Sequence, residues 1–441
     1  VVLSFFEIMD KDLSQHPPYD KVDFKVLAGL DNDFKKIWQK SNGHLNFQDP
    51  ETCTALTKAT LKIDFGLKLD IPDDRLCPPV PNRWNYVAWI QNLLDSTDPS
   101  YSGNYDPERK AIGLDIGVGA SAIYTLLALR SRPSWEMCVT DIDKKSFDSA
   151  ARNLALNNLI TRTKMLHTTA DMSLIPLRYL GVDKLDFTIC NPPFFNDEKE
   201  MEASLKGKGK NVKPSAICTG SENEMVCEGG DAGFVKRIVV ESLELKDRVT
   251  WYTSMLGKLS SVTVIVKQLK LHGINNWAVG CLEPGSTTKR WIVAWSFGDL
   301  RPRNDIARAA NVAHELLPFP TKYQIHIPES YNGRKPESVV HDKLSSLDLR
   351  CTWDLESYTG TGEAAQNVWN RHYRREKKRK QRAGEAVMQD TGENMEVALA
   401  FRINFANEEG EETILIDWLR GTDVQLWESF CGMVHSDFMK S

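Results

Sequence analysis

No apolar run in this sequence approaches the ~20 residues needed to cross a bilayer, so a membrane-spanning protein is not expected. An excess of basic charge is also missing. Lys and Arg number 55 against 60 Asp and Glu, a formal net charge of −5, so nucleic-acid binding would have to come from local clusters. The nine cysteines (Cys53, Cys77, Cys138, Cys190, Cys218, Cys227, Cys281, Cys351 and Cys431) include no C-x-x-C pair of the kind that zinc and redox sites use. No metal is therefore expected, and the thiols read as the reduced thiols of a cytosolic or nuclear protein. The opening "VVLSFFEIMD" has neither a basic segment nor a small-residue cleavage site, and a secretory signal is not expected. Internal repeats are absent.

What is present suits packed cores: 41% of residues are hydrophobic and 26% charged, and 441 residues suggest two or three domains. Up to about residue 84 the sequence reads as a helical extension. Asp49 is placed to cap a helix with Pro50 in its first position and Gly66 beyond its last turn. Four prolines between 72 and 81 then argue for an extended crossing segment. From 85 to 300 short apolar runs ("AIGLDIG", "WEMCVTDID", "TKMLHTTAD", "LDFTIC") alternate with helical patterns, including 120–130 and 146–159. That alternation predicts a parallel sheet covered on both faces, an α/β core. From 301 to 441 the candidate strands "YQIHIPES", "DLRCTWDLES", "EVALAFRINFA" and "ETILIDWL" mix with helices near 363–383 and 422–438, an α+β domain.

The stretch "GLDIGVGASAIYTLLAL" reads as strand, glycine turn and helix. Gly117 and Gly119 let the backbone approach a ligand closely, and the helix start offers free N–H groups. Asp141 closes the second strand 24 residues past Gly117, where a carboxylate can accept from ribose hydroxyls, while Asp143 suits a helix N-cap. By itself the glycine turn fits dinucleotide folds as well as S-adenosylmethionine folds. "LDFTIC" then runs into Asn191-Pro192-Pro193-Phe194. The prolines bias the backbone toward extended geometry, which fixes the Asn191 amide oxygen and a neighbouring carbonyl as two acceptors for one amino group. Such a grip stabilises the positive charge that develops on an exocyclic amine during methyl transfer. Phe194 offers a face on which an extruded base stacks, worth roughly 1–3 kcal/mol.

These residues resemble the N-P-P-[FYW] group of class I S-adenosylmethionine-dependent methyltransferases. More closely, "LNFQDPE", "GLDIGVGASAIY", "NPPFF", "EGGDAGFVKRI", "WYTSMLGK" and "RWIVAWSF" are similar to the methyltransferase-like protein 16 family, adenosine-N6 methyltransferases of U6 small nuclear RNA. The resemblance spans roughly residues 40–298. It implies a Rossmann-like class I core, S-adenosylmethionine as cofactor, structured RNA (U6 small nuclear RNA) as partner and a nuclear location, with a cytoplasmic share left open. It also implies that Asn191, Pro192, Pro193 and Phe194 hold and methylate adenine. Arg83, Asp115, Gly117, Gly119, Ser121, Asp141 and Thr169 would contact the cofactor, with Arg83 on its carboxylate. Glu228, Gly229 and Gly230 would border the pocket, and the C-terminal portion would resemble a kinase-associated-1 fold that adds affinity for structured RNA.

Two basic clusters could meet phosphates: Lys206, Lys208, Lys210 and Lys213 after the NPPFF motif, and Arg371, Arg374, Arg375, Lys377, Lys378, Arg379, Lys380 and Arg382 in "RHYRREKKRKQR". The second also fits a nuclear localisation signal or a solvated helix face. Three rivals stay open. The Asn-Pro-Pro grip serves a protein glutamine amide or DNA adenine equally, the chain could be an RNA-binding factor with little catalysis, and the glycine turn alone permits a nicotinamide oxidoreductase.

Overall fold

The structure, a computed structural model, describes residues 16–205, 225–285, 289–328, 331, 333–354, 356–383, 396–408 and 411–439. Two compact units divide the chain. The first runs to Asp95 and adds Asn104–Gly298 and Ala309–Leu317; the second takes Ser96–Gly103, Asp299–Arg308 and the chain from Pro318 onward.

The first unit begins with helices α1 (Phe24–Leu30), α2 (Asn32–Lys40), α3 (Pro50–Phe65) and α4 (Val80–Ser96). Asp23, Asp31 and Asp49 cap the first three, each carboxylate accepting backbone N–H bonds that the helix start leaves unmatched. Pro50 occupies the first turn of α3, and Gly66 ends it in a left-handed conformation (φ 64°), as the sequence predicted. The proline-rich segment departs from expectation at its end. Val80 and Pro81 already lie in the first turn of α4, where a missing N–H interrupts no helical bond. Leu27, Ala28, Phe34 and Ala59 form a small core of their own among these helices.

Beyond them stands a seven-stranded sheet made of β1 (Ala111–Ile116), β2 (Trp135–Asp141), β3 (Thr163–His167), β4 (Leu185–Cys190), β5 (Val249–Leu256), β6 (Asn276–Leu282) and β7 (Arg290–Ser296). Its order is β3-β2-β1-β4-β5-β7-β6, and only β7 runs against its neighbours. The strands of the centre are nearly continuous apolar runs because helices cover both faces. Those helices include α5 (Ile123–Ser131), α6 (Lys144–Leu156), α8 (Gly230–Leu245) and α9 (Leu259–Leu271), while the short α7 (Glu198–Leu205) lies between β4 and α8 in the chain. Helix α5 begins at Ile123 rather than 120, because the glycine turn extends through Ala122 at φ 52°. Asp143 caps α6, which starts at Lys144 and ends at Leu156 rather than spanning 146–159.

In the second unit β8 (Lys322–His326), β9 (Arg350–Asp354), β10 (Thr359–Ala364), β11 (Leu399–Glu408) and β12 (Glu411–Arg420) form an antiparallel sheet ordered β8-β12-β11-β10-β9. Helices α10 (Pro336–Ser345), α11 (Arg371–Ala383) and α12 (Val424–Phe438) complete this α+β fold. Phe401, Ile403, Ile416, Trp418, Trp427 and Phe430 lie in its core. Segment Ser96–Gly103 belongs here because the Tyr101 hydroxyl donates to Glu363 at 2.8 Å and Arg303 reaches the Gly103 carbonyl at 3.3 Å. Sequence reading missed α10 and β10, and it placed a helix start on residues 363–364, which are strand. No helix among the described residues is long and apolar enough to cross a membrane.

Candidate functional site

Strand register sets the site. Ile116 of β1 pairs with Thr140 of β2 on one side and Cys190 of β4 on the other. Gly117, Asp141 and Asn191 therefore leave the sheet side by side at its carboxyl edge. This is also where the chain order reverses, between β1 and β4, and open sheets bind ligands at such switch points.

The glycine turn is built to hold backbone, not side chain, toward the crevice. Gly117 and Gly119 both have positive φ (72° and 64°), and a Cβ on Gly117 would meet nothing within 4 Å. The Gly117 and Val118 amides donate to the Thr140 carbonyl at 3.0 and 2.9 Å, which ties the turn to β2. Asp141, 8% exposed, tightens it further: one carboxylate oxygen accepts from the Gly119 amide and the other from the Asp143 amide, each at 2.8 Å. Its first task is thus to shape the loop. Ser121 is buried in the same turn, whereas Thr169 is exposed. Thr168 is the buried member of that pair, its amide on the Asp141 carbonyl at 2.9 Å.

Asp115 stands at 1% exposure with one oxygen accepting from the Thr125 hydroxyl at 2.8 Å. Burial pushes its carboxyl up to about 7; the Thr125 bond pulls the other way and the Asp141 charge adds to the rise. Its second oxygen has no hydrogen-bond partner among the described residues, and the same holds for Arg83 Nε on α4, itself buried, and for the Asn191 amide oxygen. Native interiors rarely leave such atoms unmatched. A buried cation, a buried carboxylate and a buried amide acceptor around an open glycine turn fit a zwitterionic nucleoside such as S-adenosylmethionine.

The segment that holds Glu228, Gly229 and Gly230 is tied to the Asn-Pro-Pro-Phe motif by a short bridge. The Phe195 amide donates to the Met225 carbonyl at 3.0 Å, the Cys227 amide to the Phe195 carbonyl at 2.9 Å, and the Gly229 amide to Asn196 Oδ1 at 2.7 Å. Gly230 packs so close that a Cβ there would sit 3.1 Å from the Phe194 carbonyl oxygen. Pro192 is buried, while Pro193, Phe194 and Asn191 are half-buried. Two neighbours of Phe194 escaped sequence reasoning. The Arg290 guanidinium lies 5.4 Å from the centre of the Phe194 ring, within reach of a cation–π contact. Asp231, 4% exposed, accepts from the Gly257 amide and the Ser261 hydroxyl, both at 2.7 Å, and so holds the turn that meets the same ring. Both residues lie within stretches that stand out in the sequence ("EGGDAGFVKRI" and "RWIVAWSF"), which was the available signal.

Lys206, Lys208, Lys210 and Lys213 lie outside the described residues. The second basic cluster forms α11 in the other unit. Lys377 pairs with the mostly buried Asp348 at 2.5 Å, while Arg379 and Lys380 share Glu376 on the surface of the same helix, at 3.2 and 3.9 Å. Arg371, Arg374, Arg375, Lys378 and Arg382 are exposed and form no ion pair among the described residues.

The family described as RNA methyltransferase (Methyltransf_10) matches residues 14–299. A Schizosaccharomyces pombe protein named U6 small nuclear RNA (adenine-(43)-N(6))-methyltransferase is 34% identical over 394 residues, 88% of this chain and 94% of that protein. The human RNA N(6)-adenosine-methyltransferase METTL16 is 38% identical over 290 residues, 63% of this chain, and the chain spans only 49% of its length. Among solved structures, the human Mettl16 catalytic domain in complex with a MAT2A 3′UTR hairpin aligns with a TM-score of 0.55 at 37% identity, over 63% of this chain and 94% of that one. The N-terminal domain of human METTL16 in complex with SAH aligns with a TM-score of 0.51 at 34% identity, over 66% and 98%.

Proposed function

The chain belongs to the Methyltransf_10 family of RNA methyltransferases, and from that membership we propose that it transfers the methyl group of S-adenosylmethionine to the N6 amine of an adenosine in a structured RNA. The observation that carries this reading is the Asn191 amide oxygen, buried and unmatched among the described residues at the strand end beside the glycine turn. An acceptor left without a donor in that place suits an incoming amino group.

The cofactor, when bound, supplies an electrophilic methyl on a sulfonium. The adenine amine takes that methyl and gives up one of its two protons, and the chain's own residues hold and polarise it. Asn191 Oδ1 and an adjacent main-chain oxygen of the Asn-Pro-Pro turn accept the two N–H bonds of the amine, which draws the nitrogen lone pair out of the ring and stabilises the charge that grows on it. Phe194 gives the extruded base a stacking face, with the Arg290 guanidinium over its ring and Gly257 close against it. Arg83, Asp115, Gly117, Gly119, Ser121 and Asp141 form the cofactor side, and Glu228, Gly229 and Gly230 the rim of the base pocket. Thr169 is the weakest member of this set, because it is exposed while its neighbour Thr168 is the buried one.

U6 small nuclear RNA is the substrate we assign, on the strength of the fission-yeast relative that aligns over nearly its whole length. This implies work in the nucleus, which imaging of the tagged protein would test. An unpaired adenosine in a loop or bulge costs least to extrude. We assign phosphate contacts to α11 and to the lysines at 206, 208, 210 and 213. Replacing Asn191 by Ala should abolish tritiated-methyl transfer to U6 RNA while filter binding retains most of the RNA affinity. Substantial turnover by that variant would refute the assigned grip, and preferential labelling of protein or DNA would refute the substrate class.

A further inference from the structure

One more buried polar atom near the glycine turn belongs to a residue outside the set that holds cofactor and base. Tyr124 lies in the first turn of α5, 4% exposed, and its hydroxyl has no hydrogen-bond partner among the described residues. Its ring meets Tyr86 edge-on, with centroids 5.6 Å apart. Tyr86 stands three residues after Arg83 on α4, so both project from one side of that helix. The two phenols differ in one respect. The Tyr86 hydroxyl is matched to Thr253 Oγ1 at 2.7 Å, whereas Tyr124 has been carried into the interior with nothing to bond among the described residues. Burying a hydroxyl without a partner is unfavourable, and a phenylalanine would pack the same ring without that cost. A matching acceptor is therefore expected to arrive from outside the chain.

The surroundings say which kind. Burial raises the Tyr124 hydroxyl well above its ordinary range, opposed by the Arg83 charge and supported by Asp115 and Cys190, with Arg290 again opposing. The phenol thus keeps its proton and acts as a donor, close enough to Arg83 and Asp115 to feel both. The unmatched buried atoms include two donors (Arg83 Nε and Tyr124 OH) and two acceptors (Asp115 Oδ1 and Asn191 Oδ1) on residues of the candidate site. The amino-acid end of S-adenosylmethionine carries one anion and one ammonium. Its α-carboxylate is the only anionic group on the molecule, and two oxygens with a full negative charge make it the part best suited to two donors of which one is a cation.

We propose that Tyr124 is a cofactor-binding residue whose hydroxyl donates to the α-carboxylate beside Arg83, while Asp115 receives the ammonium. This rests on the reading of the crevice as an S-adenosylmethionine site. The hydroxyl also gives the pocket selectivity for a donor with an intact amino-acid end over nucleosides that lack it, since only the intact end gains this hydrogen bond.

The test is Tyr124→Phe in the full chain, followed by calorimetric titration with S-adenosylhomocysteine and with decarboxylated S-adenosylmethionine. S-adenosylhomocysteine should bind the variant about tenfold or more weakly, the range for a hydrogen bond to a charged group. Affinity for the decarboxylated ligand should not change, and the thermal midpoint of the unliganded variant should be equal or higher. Unchanged affinity for S-adenosylhomocysteine overturns the assignment. So does an equal loss with both ligands, or a lowered midpoint with a matching loss, because either marks a packing role. If the unsubstituted protein binds neither ligand, the site reading itself falls and takes this inference with it.

Discussion

At the scale of single residues, the site we propose is made of groups that burial has left incomplete. Asp115 illustrates how this becomes measurable. Its carboxyl, held up to about 7 mainly by burial, keeps a proton in the folded protein at pH values where an unfolded chain would have lost it. The folded state then binds more protons, so the contribution of this group to stability falls as pH rises from the ordinary carboxylate range toward 7. A ligand ammonium beside Asp115 reverses the preference by favouring the ionised form. Binding of S-adenosylhomocysteine should consequently tighten with rising pH, by at most about tenfold per unit below 7, and should release up to about one proton. Calorimetry near pH 6.5 in buffers of different ionisation enthalpy reads that proton directly, and Asp115→Asn should remove it. Binding without proton release would place the ammonium elsewhere. The sequence offered Asp115 only as part of a glycine motif; its unmatched oxygen depends on what packs around it. Asp231 and Arg290 were illegible for the same reason, since each matters through a ring, Phe194, that lies at least 37 residues away in the chain.

At the scale of elements, local grammar was readable wherever one residue decides a boundary. Asp49, Pro50 and Gly66 bracket α3, and Asp143 caps α6, because a carboxylate at a helix start and a glycine at its end act on their immediate neighbours. Strand β10, "TGTGEA", carried no such signal. Its Gly360 and Gly362 look like turn residues, yet they are there because the rings of Trp353 and Phe401 fill the space on adjoining strands: a Cβ would lie 2.8 and 2.5 Å from them. The turn after β5 poses the same problem at the candidate site. A Cβ on Gly257 would stand 3.0 Å from the Phe194 ring and 3.4 Å from an Asp231 carboxylate oxygen. Gly257→Ala should therefore push the ring from its seat. We expect kcat to drop by about tenfold, as misplacement of a reacting group commonly does, with S-adenosylhomocysteine affinity retained. A single-turnover assay beside a binding titration separates the two, and an unaltered rate would show that the base does not depend on that ring position.

At the scale of the whole molecule, a protein with a formal charge of −5 that acts on a polyanion must gather its cations locally. The sequence announced such a cluster at 371–382 but could not say which cations are free to act. The fold sorts them. Lys377, Arg379 and Lys380 answer Asp348 and Glu376, which leaves Arg371, Arg374, Arg375, Lys378 and Arg382 exposed along a helix of 13 residues, ~20 Å of axis. If this stripe follows an RNA backbone, replacing Arg371, Arg374, Arg375 and Lys378 together by Gln should weaken RNA binding most at low salt. The slope of log K against log salt should flatten by about 0.7 for each phosphate that the variant no longer neutralises, with methyl transfer at saturating RNA unaltered. Replacing Lys377 instead should act on stability, because it strands the Asp348 carboxylate, 9% exposed at its side chain, without its cation. Thermal unfolding and salt-dependent binding thus respond to different members of one basic run. A quadruple variant whose salt slope matches that of the unsubstituted protein would assign the whole run to a solvated helix face.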